Sequence, residues 1–100
     1  MEIADLTERM IRRTEIIMPC RLGLHARTSA KFIFFTRQFD SEIRIRKGKH
    51  VADGKSILGI LCLGASWKSK LLIEAVGLDA DQAIERIKLY FQNHDHCDDD

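Results

Sequence analysis

Apolar positions along this 100-residue chain recur with two periods, and the switches between them outline the elements. Residues 15–18 form a short apolar run closed by Pro19, which predicts a first strand. A turn over residues 21–26 leads into a predicted helix over about residues 26–38. There Phe32, Ile33, Phe34, Phe35 and Phe39 make a wide apolar arc. Residues 42–46 alternate strictly, so they predict a strand with Ile43 and Ile45 turned inward. Lys47, Gly48 and Lys49 form a hairpin turn into a short strand at residues 50–52. Ser56 is placed as the N-cap of a helix running to Leu63, with Gly64 as its stop. Residues 70–76 are a third clear strand, halted by Gly77. The last helix opens at Asp79, where Gln82 completes a capping-box spacing, and Ala80, Ile84, Ile87 and Phe91 give it one buried face. The order strand, helix, strand, strand, helix, strand, helix implies an open-faced α+β sandwich.

Composition narrows the function classes. With 31% charged and 45% hydrophobic residues, the chain reads as one folded domain, and no apolar run is long enough to span a membrane. The polar start, from Met1 to Met10, does not read as a secretory signal. Cys20, Cys62 and Cys97 are too few and too scattered for a disulfide framework, so they are expected as reduced thiols in a cytoplasm. The net charge of +1 hides a gradient: residues 11–94 hold fifteen bases against eight acids, a net +7, between two acidic ends. A cationic body suits an acidic protein, a phosphate-bearing ligand or nucleic acid. Nucleic acid is the weakest of these, because Arg44 and Arg46 have no aromatic residue between them for base stacking. His94, Asp95, His96 and Cys97 lack a distant second ligand pair, so no metal site is expected there and residues 94–100 read as a solvated acidic tail. Residues 1–12 read as an extension ahead of a domain over residues 13–93. His50 reads as a surface position and Trp67 as a packing residue.

The sharpest local pattern is Gly23-Leu24-His25-Ala26-Arg27. A histidine ahead of a helix faces free amides and the positive dipole end, a ready anion site. Arg27 adds a planar fork suited to phosphate oxygens. A neutral imidazole nitrogen there is a nucleophile that can take a phosphoryl group. A solvated loop histidine with a flanking arginine fits the same spacing. Ser56 fits a cap, and the helix behind it is apolar nearly all round. Ile57, Leu58 and Leu61 are expected on its exposed side and Ile60 and Leu63 on another, which suggests a docking surface, or one covered by the tail or a second copy; Phe34 either extends it or joins the core.

Residues 23–30, GLHARTSA, resemble the active-site signature of the HPr family, the histidine phosphocarriers of the bacterial phosphotransferase system. Residues 55–64, KSILGILCLG, resemble the same family's regulatory-serine helix, and the ending over residues 70–91 agrees as well. The resemblance spans about residues 13–92. It implies a four-stranded antiparallel sheet with three helices on one face. It also implies that His25 is phosphorylated by enzyme I at the expense of phosphoenolpyruvate, with Arg27 positioning the phosphate. The phosphoryl group would then pass to an acceptor protein of the enzyme IIA type. Ser56 would be the target of an ATP-dependent HPr kinase/phosphorylase, with Ile57, Leu58, Leu61 and Phe34 meeting partners. Such a chain is a carrier rather than an enzyme and needs no cofactor, no nucleic acid and no membrane insertion; its expected place is the cytoplasm. The rival expectation is an HPr-like regulatory binding module controlled through Ser56 that carries no phosphate. One position departs from the family pattern: Thr28 stands where proline is usual, which keeps an amide donor and adds a hydroxyl.

Overall fold

Seven elements follow in the predicted order along the computed structural model, which describes residues 10–92 and residue 97. They are β1 (Ile11–Ile17), α1 (Ala26–Thr36), β2 (Glu42–Lys47), β3 (His50–Asp53), α2 (Ile57–Leu63), β4 (Lys70–Val76) and α3 (Ala80–Gln92). The strands form one antiparallel sheet in the order β1-β4-β2-β3, and the helices cover one face of it. Ile43 and Ile45 on β2 sit in register with Ala75 and Ile73 on β4, so the alternation of both strands points to one core. Ile43, Ile45, Leu71 and Ile73 are completely buried. Each such side chain contributes about 1.5–3 kcal/mol by leaving water. Phe32 on α1 meets Tyr90 and Phe91 on α3 at ring-centre distances of 5.6 and 5.3 Å, which locks the two long helices together.

Three sequence expectations change. First, β1 begins at Ile11, inside the stretch read as an extension, rather than at residue 15. It is an edge strand paired only with β4, and its charges obscure the alternation. Arg13 Nε, for example, donates to Glu74 Oε2 at 2.6 Å, while Arg12 pairs with Asp81.

Second, Cys20 and Cys97 are not free thiols. Their Cα atoms lie 5.3 Å apart and their sulfurs are bonded. Cys20 is part of the buried core and Cys97 packs against that core, so residue 97 does not belong to a solvated tail. The other residues of that tail, and residues 1–9, lie outside the described residues. Among the three cysteines only Cys62 is free, and it is exposed.

Third, the Asp79 carboxylate turns away from its own helix. It accepts from the backbone N–H of Asp40 at 2.8 Å, from that of Ser41 at 2.9 Å, and from the Ser41 hydroxyl. Desolvation raises the Asp79 pKa, but these hydrogen bonds to the charged form outweigh it and hold the carboxyl below its ordinary range. Asp79 thereby ties the start of α3 to the connection between α1 and β2, under the end of the sheet opposite the histidine.

Candidate functional site

The loop between β1 and α1 is held from below by backbone bonds. Met18 N–H donates to the Ser69 carbonyl at 2.9 Å, Lys68 N–H to the Met18 carbonyl at 3.0 Å, and Leu24 N–H to the Ala65 carbonyl at 2.9 Å. Gly23 has a φ of +66°, and a Cβ there would lie 2.2 Å from the Ala65 carbonyl oxygen, so only glycine fits. The loop delivers His25 to the N-cap of α1 in extended conformation, with φ −92° and ψ −172°. Ser29 N–H donates to the His25 carbonyl at 2.8 Å, the first bond of the helix.

His25 is half-buried, and its Nε2 is shielded from solvent with no hydrogen-bond partner. The same ring faces the Thr28 backbone N–H in a capping box at the start of the helix. Arg27 lies in the first turn of the same helix with an exposed side chain. Trp67, read from sequence as packing, is half exposed beside this loop. The Arg21 guanidinium lies 5.6 Å from its ring centre and the Lys68 ammonium 4.4 Å. The sequence offers no sign of this, because residues 21 and 67 meet only through the fold. The result is an imidazole at a helix N-terminus with Arg27 in the first turn, and with Arg21 and Lys68 over Trp67 beside the same loop, an arrangement that suits an anionic group.

Ser56 caps α2: its hydroxyl accepts from Gly59 N–H at 3.1 Å, and Gly64 closes the helix in the left-handed conformation at φ +67°. α1 and α2 pack side by side. Ile60 and Leu63 point into the core, while Ile57, Leu58 and Leu61 are 43, 69 and 38% exposed, and Phe34 on α1 is 85% exposed. The structure therefore gathers His25 and Arg27 at one helix start. It presents the α2 residues and Phe34 as apolar surface on neighbouring helices. His94, Asp95 and His96 lie outside the described residues, and Cys97, spent in the disulfide, offers no thiolate. Among the described residues no cluster of histidine, cysteine or carboxylate side chains is arranged to hold a metal.

Residues 12–93 match the family described as "PTS HPr component phosphorylation site". The chain is 37% identical over 67 residues to phosphocarrier protein NPr of Shewanella violacea, covering 67% of this chain and 74% of that one. It is 32% identical over 84 residues to phosphocarrier protein HPr of Cupriavidus necator, covering 84% and 93%. The crystal structure of a phosphocarrier protein HPr from Bacillus anthracis superposes with a TM-score of 0.78 at 30% identity, over 82% of this chain and 98% of that one. Fold and site together define a small phosphocarrier domain of the phosphotransferase system. The chain belongs to the HPr family.

Proposed function

We propose that this chain accepts a phosphoryl group on His25 from enzyme I, with phosphoenolpyruvate as its ultimate source, and hands it to an acceptor protein of the enzyme IIA type. The observation that carries this reading is the placement of His25 as the N-cap of α1 with Nε2 shielded. A ring nitrogen of His25 attacks phosphorus, a new P–N bond forms, and the donor's bond to phosphorus breaks. The first-turn amides, the helix dipole and Arg27 face the transferred oxygens, so the domain contributes position and charge, and the partner supplies the rest. The partner footprint is the exposed apolar side of α2, Ile57, Leu58 and Leu61, extended by Phe34. The body of the chain is cationic, which favours an acidic partner surface. Among the described residues no helix is long and apolar enough to cross a membrane. We place the work of the carrier in the cytoplasm on the enzyme I reading alone, since the Cys20–Cys97 bond is not the pair of reduced thiols that a cytoplasm favours.

The test is incubation with enzyme I and phosphoenolpyruvate followed by intact mass. The wild-type chain is expected to gain one acid-labile phosphate, and His25→Ala none. An acid-labile phosphate on His25→Ala would assign the chemistry elsewhere, and a wild-type chain that gains none would favour the regulatory-module reading.

Ser56 has a second part in this proposal, as a site for an HPr kinase/phosphorylase. A negative charge at an N-cap meets free amides and the positive end of α2, so it suits the helix. The same charge lies beside Ile57 and repels an acidic partner. Ser56→Asp is therefore expected to keep its melting temperature and to slow the initial rate of His25 phosphorylation about tenfold. Transfer at the wild-type rate would remove α2 from the docking surface.

A further inference from the structure

The hydroxyl of Thr28 occupies a position that the family usually gives to proline, and it is bonded to the backbone on both sides of the nucleophile. Thr28 Oγ1 lies 3.1 Å from His25 N, 3.1 Å from the Gly23 carbonyl oxygen and 3.3 Å from the His25 carbonyl oxygen. A hydroxyl has one proton to give and two lone pairs to accept with. It accepts from His25 N–H and donates to the nearer carbonyl, that of Gly23. Thr28 is 2% exposed, so water cannot take over either bond.

The consequence for His25 follows from what else is fixed around it. Its carbonyl is held by Ser29 N–H at 2.8 Å, and its N–H is held by Thr28. The preceding residue, Leu24, is tied through its own N–H to Ala65, and Gly23 is wedged against the Ala65–Ser66 backbone. Thr28 thus closes the last open side of the loop, and only the two side-chain torsions of His25 remain between this frame and the ring. There is also a reason for the hydroxyl to sit at the third helical position. Histidine caps a helix weakly, whereas a serine or aspartate at the N-cap would take up the amides that an anion must meet. Here the two residues face each other reciprocally: the Thr28 hydroxyl accepts from His25 N–H, and the His25 ring faces the Thr28 N–H in turn.

We infer that Thr28 is a positioning residue for phosphoryl transfer: its hydroxyl fixes the backbone of His25 and thereby the aim of the imidazole at phosphorus. This rests on the carrier reading above. It goes beyond that reading in assigning a role to a side chain that a proline cannot supply, since proline has neither hydroxyl nor N–H.

The test compares Thr28→Val, which keeps the shape and loses the hydroxyl, with Thr28→Ser, which keeps the hydroxyl. Three quantities are read well below the melting transition of each variant. They are the initial rate of phosphorylation by enzyme I, the initial rate with phosphoramidate, and the half-life of the phosphohistidine at fixed pH. Phosphoramidate transfers its phosphoryl group to an imidazole nitrogen with ammonia leaving, so it needs no protein docking; His25→Ala supplies its background. Thr28→Val is expected to slow both rates about tenfold and to shorten the phosphohistidine half-life, because small misplacements of a reacting group are costly. Thr28→Ser is expected to stay within about twofold of wild type. Equal rates and half-lives for wild type and Thr28→Val would overturn the inference, as would a Thr28→Ser variant as slow as Thr28→Val. Thr28→Ala is the second hydroxyl-free variant; if neither it nor Thr28→Val folds, the role is structural only and the inference also falls. Should the wild type react with phosphoramidate and not with enzyme I, the carrier reading fails, and the role of Thr28 is decided on the phosphoramidate rates alone.

Discussion

Reduction of the Cys20–Cys97 disulfide is expected to lower the melting temperature by about 15–30 °C. The bond joins residues separated by 77 positions. Cross-linking so distant a pair removes much of the freedom of the unfolded chain, and the loop-entropy relation gives about 4 kcal/mol. For a domain of this size each kcal/mol corresponds to roughly 4–8 °C. Melting curves with and without excess dithiol measure the effect. Cys97→Ser is expected to melt with the reduced wild type and to be indifferent to dithiol. Alkylation before and after reduction gives an independent count: one label at Cys62 in the native chain, three after reduction. A shift on reduction below about 3 °C would mean that the cross-link does not hold the folded state together.

Gly23→Ala is expected to damage stability and transfer together. The left-handed backbone alone costs an alanine about 1–2 kcal/mol. The added methyl would also lie 2.2 Å from a backbone oxygen that cannot swing aside, so the bond from Leu24 N–H to the Ala65 carbonyl must stretch or break. A total loss of roughly 2–4 kcal/mol in denaturant unfolding is expected. Because His25 lies two residues on, the rate of its phosphorylation should fall at least about tenfold. Gly48→Ala is the control: it shares a positive φ of +59°, but nothing lies within 4 Å of its new methyl. It should show the backbone cost alone and normal transfer. Matching losses in the two variants would show that the packing of Gly23 against Ala65 does not matter.

Where structure follows from neighbours in sequence, the chain was readable. Strand β2 alternates because one of its faces is buried, and Ile43 and Ile45 carry that signal unaided. The caps of α2 each act over three residues, Ser56 on the Gly59 amide and Gly64 on the Leu61 carbonyl, so both could be read in place. His25 and Arg27 share one helical turn, so their juxtaposition needs nothing from elsewhere. Other features depend on the tertiary fold. Strand β1 hides because an edge strand carries charges on both faces. Cys20 and Cys97 meet only because α3 returns the chain to the loop before α1. The Asp79 side chain suits its own helix by spacing and is claimed by Ser41 instead. Thr28 was visible as a departure from the family pattern, but its bonds depend on how Gly23 and Leu24 sit against Ala65.

The disulfide also has a topological consequence. From Cys20 to Cys97 the backbone becomes a closed covalent ring, and that ring contains His25, Thr28, Ser56, all three helices and three of the four strands. A single peptide-bond cut anywhere within it leaves the fragments joined. β1 is the one element outside the ring; in the sheet it is an edge strand paired with β4 alone, and α3 packs against it. β1 can therefore leave the sheet without straining the ring, with the loop carrying His25 still anchored at Cys20.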